Sequence, residues 1–63
     1  MTLSEIKQAV NAGKTVHWSN DNYVIICIHD TYNILCTLNN HSIGLTWTDG
    51  KTLNGEEHEF YAE

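Results

Sequence analysis

The sequence has no proline and no arginine, and only four glycines and two cysteines among its 63 residues. Each shortage excludes something. A chain without proline and with so little glycine does not read as a linker or a disordered tail. Two cysteines, Cys27 and Cys36, are too few for a disulfide framework and match no CxxC spacing, so both are expected to be reduced. Positive charge is equally scarce: three lysines face eight acids, for a net charge of −5 with neutral histidines. Nucleic-acid binding needs a basic stripe to neutralise phosphates, and none is present. Attraction to an anionic membrane surface fails on the same ground. No apolar run approaches the ~18 residues that span a bilayer. No charged segment followed by an apolar stretch marks a signal peptide. A cytoplasmic protein that binds neither nucleic acid nor membrane is the expectation.

What is present favours folding. Hydrophobic residues make up 41% of the chain, enough for the core of one domain spanning residues 1–63. A chain this short buries only about 60% of its unfolded surface, so its stability margin is thin. Charge is unevenly spread. Residues 1–20 hold Lys7 and Lys14 against Glu5, whereas residues 21–63 hold every other acid against Lys51 alone.

Thr2-Leu3-Ser4-Glu5 fits a capping box, with Thr2 as N-cap and Glu5 three residues on. Leu3, Ile6, Ala9 and Val10 fall on one helical stripe, and Gly13 suits a left-handed cap. A helix over residues 3–12 follows, too short to persist without tertiary contact. The rest reads as strands. Thr15–Trp18 alternates, Ser19–Asn22 is turn chemistry, and Tyr23–His29 is a dense apolar run expected to be buried on both faces. Asp30–Asn33 fits a four-residue hairpin loop, Ile34–Leu38 a strand, Asn39-Asn40 a two-residue turn, and His41–Trp47 a further strand. Asp49-Gly50 and Asn54-Gly55 are turn signals with a short strand between them, and Glu56–Tyr61 is read as a last edge strand. The fold class is α+β: one N-terminal helix packed on a four- to five-stranded antiparallel β-meander. Closure of the sheet into a small barrel stays open.

These turns imply a register in which Cys27 pairs with Cys36 and Cys36 with Ile43. One face then carries Tyr23, Ile25, Cys27, Ile34, Cys36, Leu38, Ile43, Leu45 and Trp47, with the helix as its lid. Trp18 and Trp47 are expected in the core, with an interface anchor the alternative for either. The opposite face carries Val24, Ile26, Ile28 and Leu35, with no obvious element left to cover it.

Functional candidates follow from these faces. The second face is an exposed apolar patch of the kind that marks an interface, unless the sheet curls or Phe60-Tyr61 folds over it. Glu56, Glu57 and Glu59, with Glu63 beyond them, form an acidic end suited to steering a basic partner. Catalysis is not expected. Ser42, His41, Asp49 and the glutamates supply groups, but no GxSxG, HExxH or phosphate loop arranges them. A zinc site built from Cys27, Cys36 and His29, with His17 or His58 as a fourth ligand, is the alternative, although the usual zinc spacings are missing. Neither a resident metal nor a cofactor is expected. The reading is a non-enzymatic protein-interaction module whose partner is another protein or a second copy of the chain.

The stretches Leu3-Ser4-Glu5-Ile6-Lys7-Gln8-Ala9-Val10-Asn11-Ala12-Gly13-Lys14-Thr15-Val16 and Ile43-Gly44-Leu45-Thr46-Trp47-Thr48-Asp49-Gly50 resemble small proteins encoded by bacterial phages, prophages and plasmids. The resemblance covers the two ends of the chain and carries no residue role. It implies context: small acidic proteins of such elements often bind and inhibit host proteins, including defence nucleases.

Overall fold

Thr2 opens the only α-helix, α1 (Leu3–Asn11). Its hydroxyl accepts the Glu5 N–H at 3.1 Å, and the Glu5 carboxylate accepts the Thr2 N–H at 2.8 Å. Two orphan donors of the first turn are thereby satisfied by each other's residues. Gly13, at φ 84°, turns the chain out of the helix, a conformation that costs glycine nothing. On the apolar stripe Ile6 is fully buried, and Leu3, Ala9 and Val10 pack around it.

The computed structural model describes Met1–Glu63 in full. After α1 come β1 (Val16–Trp18), β2 (Asn20–Ile28), β3 (Thr31–Cys36), β4 (His41–Gly44) and β5 (Phe60–Ala62). They form one antiparallel sheet in the order β4-β3-β2-β1-β5. The first four strands are a meander. β5 then crosses to the far edge and pairs with β1 through Val16↔Ala62, His17↔Tyr61 and Trp18↔Phe60. The sheet stays open, with β4 and β5 as its edges.

One face of this sheet is covered. Ile6 from α1 meets Val16, Ile25, Ile34, Leu45 and Phe60 in a core to which β1, β2, β3 and β5 each contribute. Residues 45–56, the connection from β4 to β5, pass over the same side. Leu45 is fully buried and Leu53 packs against the core. A single bridge, Thr46↔Leu53, holds the two arms of this connection. At its tip the Asp49 carboxylate accepts the Thr52 and Lys51 N–H groups and the Thr52 hydroxyl. Those bonds, that of the Thr52 N–H foremost, hold the Asp49 carboxyl below its ordinary range. Further along, Gly55 lies against the Trp18 indole, whose buried N–H finds no acceptor. Trp18 in turn meets Tyr23 edge-on at 4.9 Å.

Helix, fold class and turn positions near Gly13 and Asp49 agree with the sequence reading, but the strand register does not. The turn between β2 and β3 is His29-Asp30, both at positive φ, and the pairs are Ile25↔Ile34 and Cys27↔Tyr32. The longer loop is the second one, Thr37–Asn40, which brings Cys36 opposite His41. Cys27 and Cys36 are therefore not partners; Cys36 faces Tyr23. Ser19 alone separates β1 from β2, and the expected turn residues Asn20–Asn22 belong to the longer strand. Only Ile25 of β2 is buried; Val24 and Ile26 on the other face are half-buried, and Ile28 is 52% exposed. Leu38 and Trp47 are 76% and 63% exposed rather than in the core. Glu57–Glu59 is a 3₁₀ turn, and the last strand begins only at Phe60.

The Gly55 contact yields a stability prediction. A methyl group there would lie 2.7 Å from Trp18 Nε1, and Gly55 itself sits at φ 156°, so Gly55→Ala should destabilise the fold by about 1–3 kcal/mol through overpacking added to backbone strain. Gly13→Ala, with open space around its Cβ position, should cost only the ~1 kcal/mol of the left-handed backbone. Thermal melts followed by circular dichroism would rank the two; equal effects would refute the overpacking.

Candidate functional site

The uncovered face of the sheet is read most simply across the strands. Tyr61 pairs with His17, His17 with Val24, Val24 with Leu35, and Leu35 with Ser42. These five residues form one row that crosses all five strands. Ile26, Asn33 and Gly44 form the next row, and Ile28 and Thr31 the one after. Val24, Ile26 and Leu35 shield one another and are half-buried, while Ile28 projects at the end of the hairpin. No helix or strand lies over them. The four aliphatic residues expected on this face are there together.

The acidic residues named from sequence are not beside them. The Glu57 carbonyl accepts the N-terminal ammonium of Met1 at 2.6 Å, and the Glu59 carbonyl accepts the Ser19 N–H. The Glu59 carboxylate turns back to the Glu56 N–H. Glu56, Glu57 and Glu59 thus sit in a turn tied to the start of the helix and the end of β1. The helix covers the opposite side of the sheet from Val24, so the patch and this acidic turn are separate features.

Other carboxylates take the place assigned to them. His17 is the one polar residue of the chain that is buried, at 5% exposure. The pairing of β1 with β2 slips between His17 and Trp18, and there the imidazole Nδ1 meets the Tyr23 carbonyl oxygen at 2.9 Å. Because a carbonyl only accepts, Nδ1 carries a hydrogen. The other ring nitrogen, Nε2, lies 2.9 Å from Glu63 Oε1. Tyr61 is tilted against the ring at 5.2 Å and donates its hydroxyl to the Asp21 carboxylate. That carboxylate pushes the Tyr61 hydroxyl up to about 12. His17, Asp21, Glu63 and Tyr61 therefore close the β5 end of the aliphatic face with two exposed acids. From sequence, His17 enters only as a fourth zinc ligand, Glu63 only as the last of the acidic residues and Tyr61 only with Phe60 as a cover for this face; nothing there brings the four together.

The other sequence candidates are dispersed. Cys27 and Cys36 lie four residues apart along the hairpin, roughly 13 Å at strand rise, and His29 is in the turn beyond. Ser42 and His41 are neighbours on edge strand β4 and point to opposite faces, while the Asp49 carboxylate is spent on its own loop. A cleft of about 380 Å³ between α1 and the Trp47 loop is lined by Lys7, Asp30, Tyr32 and Trp47 among others. No helix is long and apolar enough to cross a membrane. Comparison with protein-family models, with curated proteins and with solved structures finds no match to this chain.

His17 gives the fold a pH dependence with a definite sign. The Glu63 hydrogen bond, helped by the Tyr23 carbonyl and opposed by burial, raises the imidazole above its ordinary 6.5. Its stabilising contribution is complete below the unfolded value and is lost as pH rises through the higher folded value. Melting temperature in chelator-treated buffer should therefore fall as pH rises above the ordinary imidazole value of 6.5. Glu63→Gln should flatten most of that fall; an unchanged slope would show that another group sets it.

Proposed function

We propose that this chain is a non-enzymatic protein-interaction module that docks through its bare sheet face. The observation that supports this reading is the cluster Val24, Ile26, Ile28 and Leu35 on a face without a covering element. Soluble domains rarely leave contiguous aliphatic side chains uncovered unless something binds there. Asp21 and Glu63 flank the row at its β5 end, and the net charge is −5. A partner that combines an apolar patch with a basic rim is the match in charge and polarity. Opposite charge at the rim chiefly speeds association and fixes orientation, while the aliphatic centre supplies affinity. The resemblance to small phage, prophage and plasmid proteins is in keeping with an inhibitor or accessory factor acting on a host protein.

Ile28 is the best position for a test because its exposure frees it from the core. Ile28→Asp should leave the melting temperature nearly unchanged, within the ~0.5 kcal/mol typical of surface sites. It should lower capture of the partner from host lysate at least tenfold (about 1.4 kcal/mol) relative to the wild-type chain. Capture should also weaken as salt rises. A folded Ile28→Asp chain that retains the same partner with the same affinity would end the reading. A wild-type chain that sediments as a dimer, and as a monomer once Ile28 is Asp, would instead assign the face to self-association.

A further inference from the structure

We infer that His17, Asp21 and Glu63 form a three-ligand site for a divalent transition-metal cation, with zinc the ion to test. It is the one group of histidine, cysteine and carboxylate side chains whose ligand atoms converge, all lying within 4.8 Å of one another. Zinc bonds of ~2.0–2.2 Å at tetrahedral angles place ligand atoms about 3.3 Å apart. Asp21 and Glu63 are exposed, so their side chains have room to turn toward the ion.

The histidine carries the argument. Its ring is fixed by burial and by the Nδ1–H donated to the Tyr23 carbonyl. Histidines that bind metals characteristically hold their second ring nitrogen this way, which sets the tautomer and aims the free lone pair. Here the aimed atom is Nε2, and it points at Glu63 Oε1, 2.9 Å away. A lone pair cannot rest against a carboxylate oxygen; the contact requires a positive species between them. Either a proton fills that role or a metal ion does. Asp21 is steadied as well, because Tyr61 donates its hydroxyl to one carboxylate oxygen and leaves the other free.

Chemistry selects the class of ion. Calcium and magnesium favour all-oxygen shells, and an imidazole ligand shifts preference to zinc and its neighbours. Three protein ligands leave a further position for water, and both acids are open to solvent on that side. The ligands come from β1, β2 and the residue after β5, so an ion there would tie the chain's end to two other strands. This site stands independently of the docking face, because it needs only the chain and the metal.

The experiment is a titration of metal-free full-length chain with zinc chloride, followed by native mass spectrometry and thermal melts. One ion per chain is expected, with a rise in melting temperature that chelator reverses. Asp21→Asn and Glu63→Gln, both exposed, should each weaken binding about tenfold or more while remaining folded. His17→Gln should abolish it, but its buried position can cost the fold, so the two carboxamide variants decide. Cobalt(II) is the second readout. Visible bands without a thiolate charge-transfer absorption indicate nitrogen and oxygen ligands and support the site. A thiolate band, binding unaffected by Asp21→Asn and Glu63→Gln, or no binding at all would overturn it.

Discussion

One short helix and one connecting segment are all this chain has to cover a five-stranded sheet, and that shortage organises the molecule. Apolar surface on a sheet must be buried against another layer, and a chain of this length can supply only one. Both covering pieces are committed to the same side: α1 through Ile6, and residues 45–56 through Leu45 and Leu53. The side they cover becomes the core. The side they leave bare retains Val24, Ile26, Ile28 and Leu35, which are as aliphatic as the residues beneath the helix. The core and the bare face thus differ here in what lies over them more than in what they are made of.

The second constraint is the pairing of β5 with β1. This contact joins residues from opposite ends of the chain, so closing it costs loop entropy that local hairpins do not incur. It places Phe60 in the core and Tyr61 on the bare face, in keeping with strand alternation. It also delivers Glu63 to His17. The tip of β5 is therefore held by its hydrogen-bond ladder, by Phe60 and by the polar cluster together. Loss of any one weakens the others, because a three-residue strand has little else to hold it.

Sequence made the helix legible in full, since its start and stop signals are local: Thr2 with Glu5, and Gly13. It also made the two faces legible, though the register was not. The expected pairing of β2 with β3 was displaced by four residues and that of β3 with β4 by two. Both shifts are even, and an even shift preserves which side each residue faces. Loop lengths were interchanged for a physical reason. His29-Asp30 is not a common two-residue turn, yet Asp tolerates positive φ, and Thr31 and Tyr32 gain more as strand residues than as loop. Conversely, Asn39 accepts the His41 N–H from inside a four-residue loop, an interaction that composition alone does not distinguish from a tight turn. The polar cluster was out of reach because its members are joined by β5. Val16-His17-Trp18 and Phe60-Tyr61-Ala62 each alternate, so each puts its middle residue on the bare face. Only the pairing of the two strands shows that those middle residues meet.

Row geometry links the two proposed sites. His17 is at once the cross-strand neighbour of Val24 and the partner of Glu63, so the apolar patch and the polar cluster share a side chain. With a proton on His17, the cluster keeps one net negative charge from Asp21 and Glu63. A divalent ion bound by neutral imidazole and both carboxylates would bring it to zero. Electrostatic attraction for a basic rim falls accordingly, whereas the aliphatic contact is unaffected. Metal at this site and a basic partner on this face would therefore be opposed through charge, even as the metal would tie down the strand that frames the face. The net effect on binding is set by which is larger, the attraction removed or the order gained at β5. At physiological salt an exposed charge interaction is screened within about 8 Å, which limits the first term to partner groups that dock directly beside Asp21 and Glu63.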